Sequence, residues 1–397
     1  MNYNLNTEQY LQTDADNYLQ VFKRYPIVID KGRGAKLWDT NGKEYIDLLA
    51  GIAVNTLGHA HPRLVEAISK QSAELMHVSN FFLTKPQALL SKKLTEISGL
   101  DRVFLANSGA EAIEAAVKLA RKYAYANKRQ SKILYMSGSF HGRTLATLAM
   151  GSPNYQEGYA PVPEGFMETP FNDLEALKAN ADKDTIAIII EPIQGEGGIN
   201  MADKKFLKGV RQVCDERDIL LIFDEIQSGI ARTGYWFAKD YYEVQPDMMT
   251  LAKGLGGGFP IGAVLCNEKV NKAMHYGGHG TTFGGNPLAA TAALTVFETI
   301  ELENLIQAAK EKGQWLKQQF EGLNHPDIKA VKGLGLMMGI EFCFDTKTLV
   351  AKLLENGLMA NSTAGNIVRI VPPLNITQEE LNQAITIFKK TLKSLEK

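Results

Sequence analysis

The sequence predicts an α/β fold, a mostly parallel sheet covered by helices on both faces, and three observations carry that reading. Short runs rich in Ile, Val and Leu alternate with longer segments of helical period. Two of the runs, Thr185 to Ile190 and 219 to 223, are almost wholly apolar, as strands buried on both sides are. Each ends in polar residues, Glu191 after the first and Asp224-Glu225 after the second. Ligands of open parallel sheets bind outside the carboxyl ends of the strands, so these side chains are the first candidates for chemistry.

In chain order, GRGAKLWDTNGKEYIDL reads as a hairpin turning at Asn41-Gly42. A further strand is expected at 103 to 106. From 110 to 127, AEAIEAAVKLARKYAYAN lacks Gly and Pro and sets Glu114 four residues before Lys118, which favours helix. After about residue 290, Ala-rich and charged helical segments surround the turn-rich GLGLMMGIEF, and a last helix is expected from Gln378. The texture there predicts a second, smaller α/β layer that the first fifty residues join. The expected organisation is an N-terminal segment with part of the small domain over 1–55, a large domain over 56–290 and a C-terminal small domain over 291–397.

A chain of 397 residues, 45% hydrophobic, can bury a core large enough for two domains. Its 43 lysines and arginines stand against 44 acidic residues, so no positive field recruits a nucleic-acid backbone or an anionic membrane. A small-molecule partner is expected, with no nucleic acid and no membrane. No stretch approaches the roughly 20 apolar residues of a membrane helix, and the polar start lacks the features of a secretory signal. Cys214, Cys266 and Cys343 lie far apart, without the spacing of a zinc site or a disulfide framework. A cytoplasmic protein with three buried thiols and no metal is the expectation.

Candidate chemistry gathers at three places. Asn107-Ser108-Gly109-Ala110 opens the strong helix, where small residues and free N–H groups can receive an anion such as phosphate. A plain helix cap by Ser108 explains the same residues. The segment is neither GxxxxGK[ST] nor GxGxxG, which counts against ATP and dinucleotides. Asp224, ending the run ILLIF, is either an N-cap or the partner of a cation such as a protonated pyridine nitrogen, whose pKa it would raise. In MMTLAKGLGGGFPIGAVL, Lys253 follows an apolar run; desolvation there lowers its pKa and makes it a nucleophile toward an aldehyde.

The segments NSGAEAIEAAVKLAR, SFHGRT, EPIQGEGG, IFDEIQSGIARTG, TLAKGLGGGFPIGA and GTTFGGNPLA resemble, in order and spacing, class III (subgroup II) aminotransferases of fold type I. The resemblance runs from about Trp38 to Pro373. GIAVNTLGHAHP and NSTAGNIVRIVPPL look most like the acetylornithine branch. The resemblance implies pyridoxal 5′-phosphate carried on Lys253, with Asp224 at its ring nitrogen. Ser108, Gly109 and Ala110 would hold the phosphate, Phe140 would stack on the ring, Gln227 would reach the phenolic oxygen, and His141 and Glu191 would support them. Thr282 would reach the phosphate from the neighbouring subunit of a homodimer. The implied substrates are a terminal-amine donor, N2-acetyl-L-ornithine in arginine biosynthesis, and 2-oxoglutarate, which returns as glutamate; the alternatives are another terminal amine (succinylornithine, 4-aminobutyrate, putrescine, ornithine or a lysine derivative) or a non-catalytic binding protein of the same fold. Arg143 would bind the far carboxylate, and Arg369 the α-carboxylate of glutamate or 2-oxoglutarate, paired with Glu196 in the other half-reaction. Phe22 aligns where the ornithine-specific branch has a tyrosine, with Tyr25 close by, which disfavours free ornithine. Ala231 stands where many relatives carry glycine.

Overall fold

Seven strands form the central sheet of this computed structural model, which describes residues 5–395. Residues 1–4 and 396–397, at the outer ends of the two terminal segments expected above, lie outside the described residues. In spatial order the strands are Arg102–Ala106, Gly262–Cys266, Met248–Leu251, Leu220–Asp224, Thr185–Ile190, Lys132–Met136 and Phe166–Thr169. Only Gly262–Cys266 runs against the rest.

Strand side chains alternate between two covered faces, which is why the runs read as apolar throughout rather than alternating. Leu220 and Ile222 pack with Ile186 and Val264 beneath the helix Gly109–Ala126. Leu221 and Phe223 pack with Ile188 and Ile190 beneath the helix Lys204–Arg217. All are buried, and each contributes roughly 1.5–3 kcal/mol of transfer free energy. The Gly109–Ala126 helix starts at the expected place because the Ser108 hydroxyl accepts the Glu111 N–H at 3.2 Å.

The expected hairpin is present: Lys36–Asp39 pairs antiparallel with Glu44–Asp47, and Gly42 sits at φ +80°. The turn is held by the Asp39 carboxylate, which accepts the N–H groups of Asn41 and Lys43 at 3.0 and 2.9 Å. Leu358–Met359 adds to this sheet in parallel, so N-terminal and C-terminal segments share it. A second antiparallel sheet orders Ile328–Leu334, Met337–Phe342, Ile367–Ile370 and Asn361–Thr363. The last helix, Gln378–Lys393, begins with a Thr377–Glu380 capping box. Among the described residues no helix is long and apolar enough to cross a membrane.

One expectation fails. Cys214 and Cys266 are buried, but Cys343 is exposed, because it follows the strand Met337–Phe342 at its solvent end; its thiol donates to Asp327 at 3.0 Å.

The sheet's topology places Asn107, Phe140, Glu191, Asp224 and Lys253 at or just past the carboxyl ends of parallel strands, on one edge. The antiparallel strand begins at that same edge with Gly262. A Cβ there would stand 2.2 Å from the Ser108 carbonyl oxygen, with other Ser108 backbone atoms next nearest. Backbone cannot yield as a flexible side chain does. Replacing Gly262 by Ala should therefore cost about 1–3 kcal/mol of overpacking, seen as a lower thermal midpoint; a variant as stable as the parent would show that the Ser108 turn does not need this close approach.

Candidate active site

A cavity of about 350 Å³ opens at this edge of the sheet, within the usual range for a small-molecule site. On one side lies Asp224, 4% exposed and tightly held. Its Oδ1 accepts the Ile226 N–H at 3.0 Å and the Thr250 hydroxyl at 3.2 Å, and its Oδ2 lies 2.7 Å from His141 Nδ1. Burial works against a charged His141, but the hydrogen bond and charge of Asp224, with the charge of Glu191, outweigh it and raise the imidazole's pKa. His141 Nε2 is buried without a partner among the described residues.

Lys253 faces the same cavity. Two residues after the strand Met248–Leu251 the chain enters a short 3₁₀ turn, Lys253–Gly256, with Lys253 at φ +43°. A left-handed non-glycine residue costs on the order of 1–3 kcal/mol and marks a position held by its surroundings. Deep burial lowers the lysine's pKa and Arg369 lowers it further, against the pull of Glu196, Asp224 and Glu191. The result is an amine more often neutral, and so more nucleophilic, than a surface lysine.

Farther round the wall, Ser108, Gly109 and Ala110 bring the first turn of a long helix to the cavity. Its early N–H groups have no partners within the helix and favour an anion. The Ser108 oxygen serves as helix cap, and its hydroxyl proton remains available to donate. The Phe140 ring lines the wall. Glu191 fixes that segment, its two oxygens accepting the N–H groups of Phe140 at 2.8 Å and Gly195 at 3.0 Å.

Beyond Gly195 lies a buried cation. Arg369, on the strand Ile367–Ile370, is fully buried and forms an ion pair with Glu196 through Nη1. The same nitrogen donates to Gln227 Oε1 at 3.2 Å and Gly195 O at 3.4 Å, and Nε donates to Asn361 Oδ1 at 3.1 Å. Nη2 has no partner among the described residues. Glu196 and Gln227 line the cavity and Arg369 does not, so the carboxylate stands in front of the guanidinium. Gly195 permits this arrangement, since a Cβ there would lie 2.4 Å from Gln227 Nε2.

The structure thus brings Lys253, Asp224, Ser108, Gly109, Ala110, Phe140, His141, Glu191, Gln227 and Glu196 to one place, with Arg369 directly behind. It does not bring three others. Arg143 is exposed, stacked on Tyr155 beside the Phe140 wall. Thr282 is exposed on a separate groove with Phe104 and Tyr276. Phe22 is 63% exposed and outside the cavity, because the segment around it leaves Tyr18, Leu19 and Val21 facing solvent too; Tyr25 lines a further groove. Thr250 and Asn361 escaped the sequence reading. Each faces its partner through strand register, Thr250 opposite Asp224 and Asn361 opposite Arg369, which linear spacing does not display.

A buried amine, a held carboxylate, an aromatic wall and an anion-binding helix start around one cavity are what an amino-transfer site with an aldehyde cofactor requires. The aminotransferase class-III profile matches residues 19–392, and the chain belongs to that family. Among curated relatives, the acetylornithine aminotransferase of Methanocaldococcus jannaschii is 48% identical, over 99% of this chain and 100% of the relative. That of Caldanaerobacter subterraneus subsp. tengcongensis is 46% identical, over 95% and 97%. Among solved structures, the ornithine aminotransferase of Toxoplasma gondii superposes with TM-score 0.95 at 36% identity, over 99% of this chain and 96% of that one. The acetylornithine aminotransferase of Elizabethkingia anophelis gives 0.87 at 35%, over 98% and 100%.

Burial pushes the Glu191 carboxyl from its ordinary 4.5 up to about 7, with Asp224's charge adding and His141 and the two N–H bonds opposing. Between those values the unfolded chain has released a proton that the fold retains, so stability falls as pH rises through the window. Cofactor-free protein should therefore lose stability relative to Glu191→Gln between about pH 4.5 and 7 and run parallel to it above. Urea unfolding at several pH values tests this; curves that stay parallel throughout would contradict the burial of an ionisable group here.

Proposed function

We propose that the cavity holds pyridoxal 5′-phosphate and that the enzyme transfers the terminal amine of N2-acetyl-L-ornithine to 2-oxoglutarate, giving N-acetyl-L-glutamate 5-semialdehyde and glutamate. The observation that carries the reading is that the Lys253 amine and the Asp224 carboxylate face one cavity walled by Phe140 and a helix N-terminus. These residues fit the cofactor at each end. Lys253 would take its aldehyde carbon, Asp224 its ring nitrogen, Gln227 its phenolic oxygen, and the Ser108–Ala110 turn, joined across a subunit interface by Thr282, its phosphate. Bound there, the cofactor supplies an electron-poor ring that accepts the electron pair left when the donor carbon loses its proton.

The chain's own residues do the rest. Three donors hold the Asp224 carboxylate in place, where it would pair with the ring nitrogen. Phe140 limits the tilt of the ring, and Glu191 fixes Phe140's backbone. The Lys253 amine, its pKa lowered by burial, is the base that would hold and move the proton of the donor carbon.

One site must serve two substrates. A terminal-amine donor brings no carboxylate near Arg369, and Glu196 then neutralises that cation, as the ion pair here displays. For glutamate or 2-oxoglutarate, Glu196 turns aside and the guanidinium, with Nη2 still unspent, takes the α-carboxylate. Arg143 takes the carboxylate at the other end. The acetylornithine aminotransferases among the relatives support the acylated donor. Free ornithine is the second reading, favoured by the superposition on the Toxoplasma gondii enzyme; Phe22 in place of a tyrosine counts against it.

A cytoplasmic homodimer completes the reading. Thr282 lies on a groove bordered by Phe81 and Leu83, 91% and 94% exposed, an apolar surface suited to a second copy.

In a panel of acetylornithine, succinylornithine, ornithine, 4-aminobutyrate and putrescine, each with 2-oxoglutarate, acetylornithine should show the highest kcat/KM. Ornithine or 4-aminobutyrate ranking first would overturn the substrate. Lys253→Ala should lose at least about a thousandfold in turnover, and borohydride-treated wild-type holoenzyme should carry the label on Lys253; a fully active variant ends the lysine assignment.

A further inference from the structure

Arg143 has an unusual setting for a binding residue. It is exposed, and no hydrogen bond or ion pair holds its guanidinium among the described residues; its contacts are aromatic. The guanidinium carbon lies 3.8 Å from the centroid of the Tyr155 ring and 5.5 Å from that of Phe140. The two rings meet edge to face at 6.0 Å and 83°. Tyr155 belongs to the short turn Pro153–Gln156, whose Gln156 amide donates to the carbonyls of Leu148 and Gly151 at 3.0 and 3.1 Å. The Tyr155 N–H donates to Ser152 O at 2.9 Å. The ring is thereby mounted on an anchored turn, beside both the Phe140 wall and the arginine.

We propose that Tyr155 is a positioning residue for substrate carboxylates, holding Arg143 by its face so that its hydrogen-bonding edges stay open beside the cavity. Stacking and hydrogen bonding use different parts of a guanidinium: the π face meets the ring, and the in-plane N–H groups meet a carboxylate. A salt bridge to a neighbouring acid would hold the arginine as firmly but would occupy the donors the substrate needs. An unstacked, exposed arginine would keep its donors and lose its place, so each binding event would have to order the whole side chain. Tyr155 resolves both. It touches no reacting atom, and its effect on substrate carboxylates passes through Arg143.

The inference rests on the assignment of Arg143 to a substrate carboxylate, so the experiment carries that assignment as a separate arm. Steady-state kinetics of holoenzyme are compared for wild type, Tyr155→Leu, Tyr155→Phe, Arg143→Ala and the double variant Tyr155→Leu/Arg143→Ala. Tyr155→Leu should raise KM for both acetylornithine and 2-oxoglutarate by about threefold to tenfold, with kcat and cofactor affinity kept. Tyr155→Phe, which keeps the ring, should stay within about twofold of wild type. In the Arg143→Ala background the loss of the ring should add nothing. A Tyr155→Leu KM unchanged while Arg143→Ala raises it would overturn the positioning role and leave the carboxylate assignment standing. The same Tyr155→Leu increment in both backgrounds, or Tyr155→Phe as impaired as Tyr155→Leu, would also overturn it. An Arg143→Ala enzyme with wild-type KM would overturn the carboxylate assignment, and the role of Tyr155 with it.

Discussion

A carboxylate buried at the end of a parallel strand must be solvated by the protein itself, and the solvation of Asp224 is the constraint on which the rest of the site depends. Burying an unpaired charge costs several kcal/mol or more. Here the cost is offset by the Ile226 N–H, the Thr250 hydroxyl and the His141 ring. Each comes from a different place in the fold. Ile226 follows Asp224 in the chain, Thr250 faces it from the next strand, and His141 sits on a loop beyond another strand of the same sheet. The three donors meet at the carboxylate only if the sheet is built in this order and register. The same strand that supplies Thr250 also delivers Lys253, so the acid's solvation and the amine's placement are a single structural fact.

Much of this was legible in linear order, for reasons that differ between elements. The strands ending at Ile190 and Asp224 announced themselves because both faces are covered, and the Gly109–Ala126 helix because its composition and its Ser108 cap are local. The carboxyl-end rule then pointed to Glu191, Asp224 and Lys253. What escaped is what register and loop packing decide. Thr250 is 26 residues from Asp224 and Asn361 is 8 from Arg369, separations without meaning until the strands pair. Cys343 lies just past a strand buried at nearly every position, and nothing in that run marks which residue first emerges. Glu191's bridge between Phe140 and Gly195 was likewise hidden, since it joins loops 51 and 4 residues away through backbone N–H groups that carry no sequence signature.

The two arginines show how solvation divides labour between chemically identical side chains. Arg369 is fully buried, and its charge must be matched at every moment; Glu196 does so from the cavity side, and Asn361, Gln227 and the Gly195 carbonyl hold the rest of the fork. Under the proposed function a substrate carboxylate would reach it by replacing Glu196, an exchange of one anion for another. Arg143 is solvated by water and held by a ring, so it can wait uncompensated at little cost. A carboxylate present in both half-reactions suits the exposed arginine, and one present in only one of them suits the buried arginine. Under the proposed function the difference in burial would match the difference between the substrates: the end that never changes would meet a permanent cation, and the end that does would meet one with its own counter-ion in reserve.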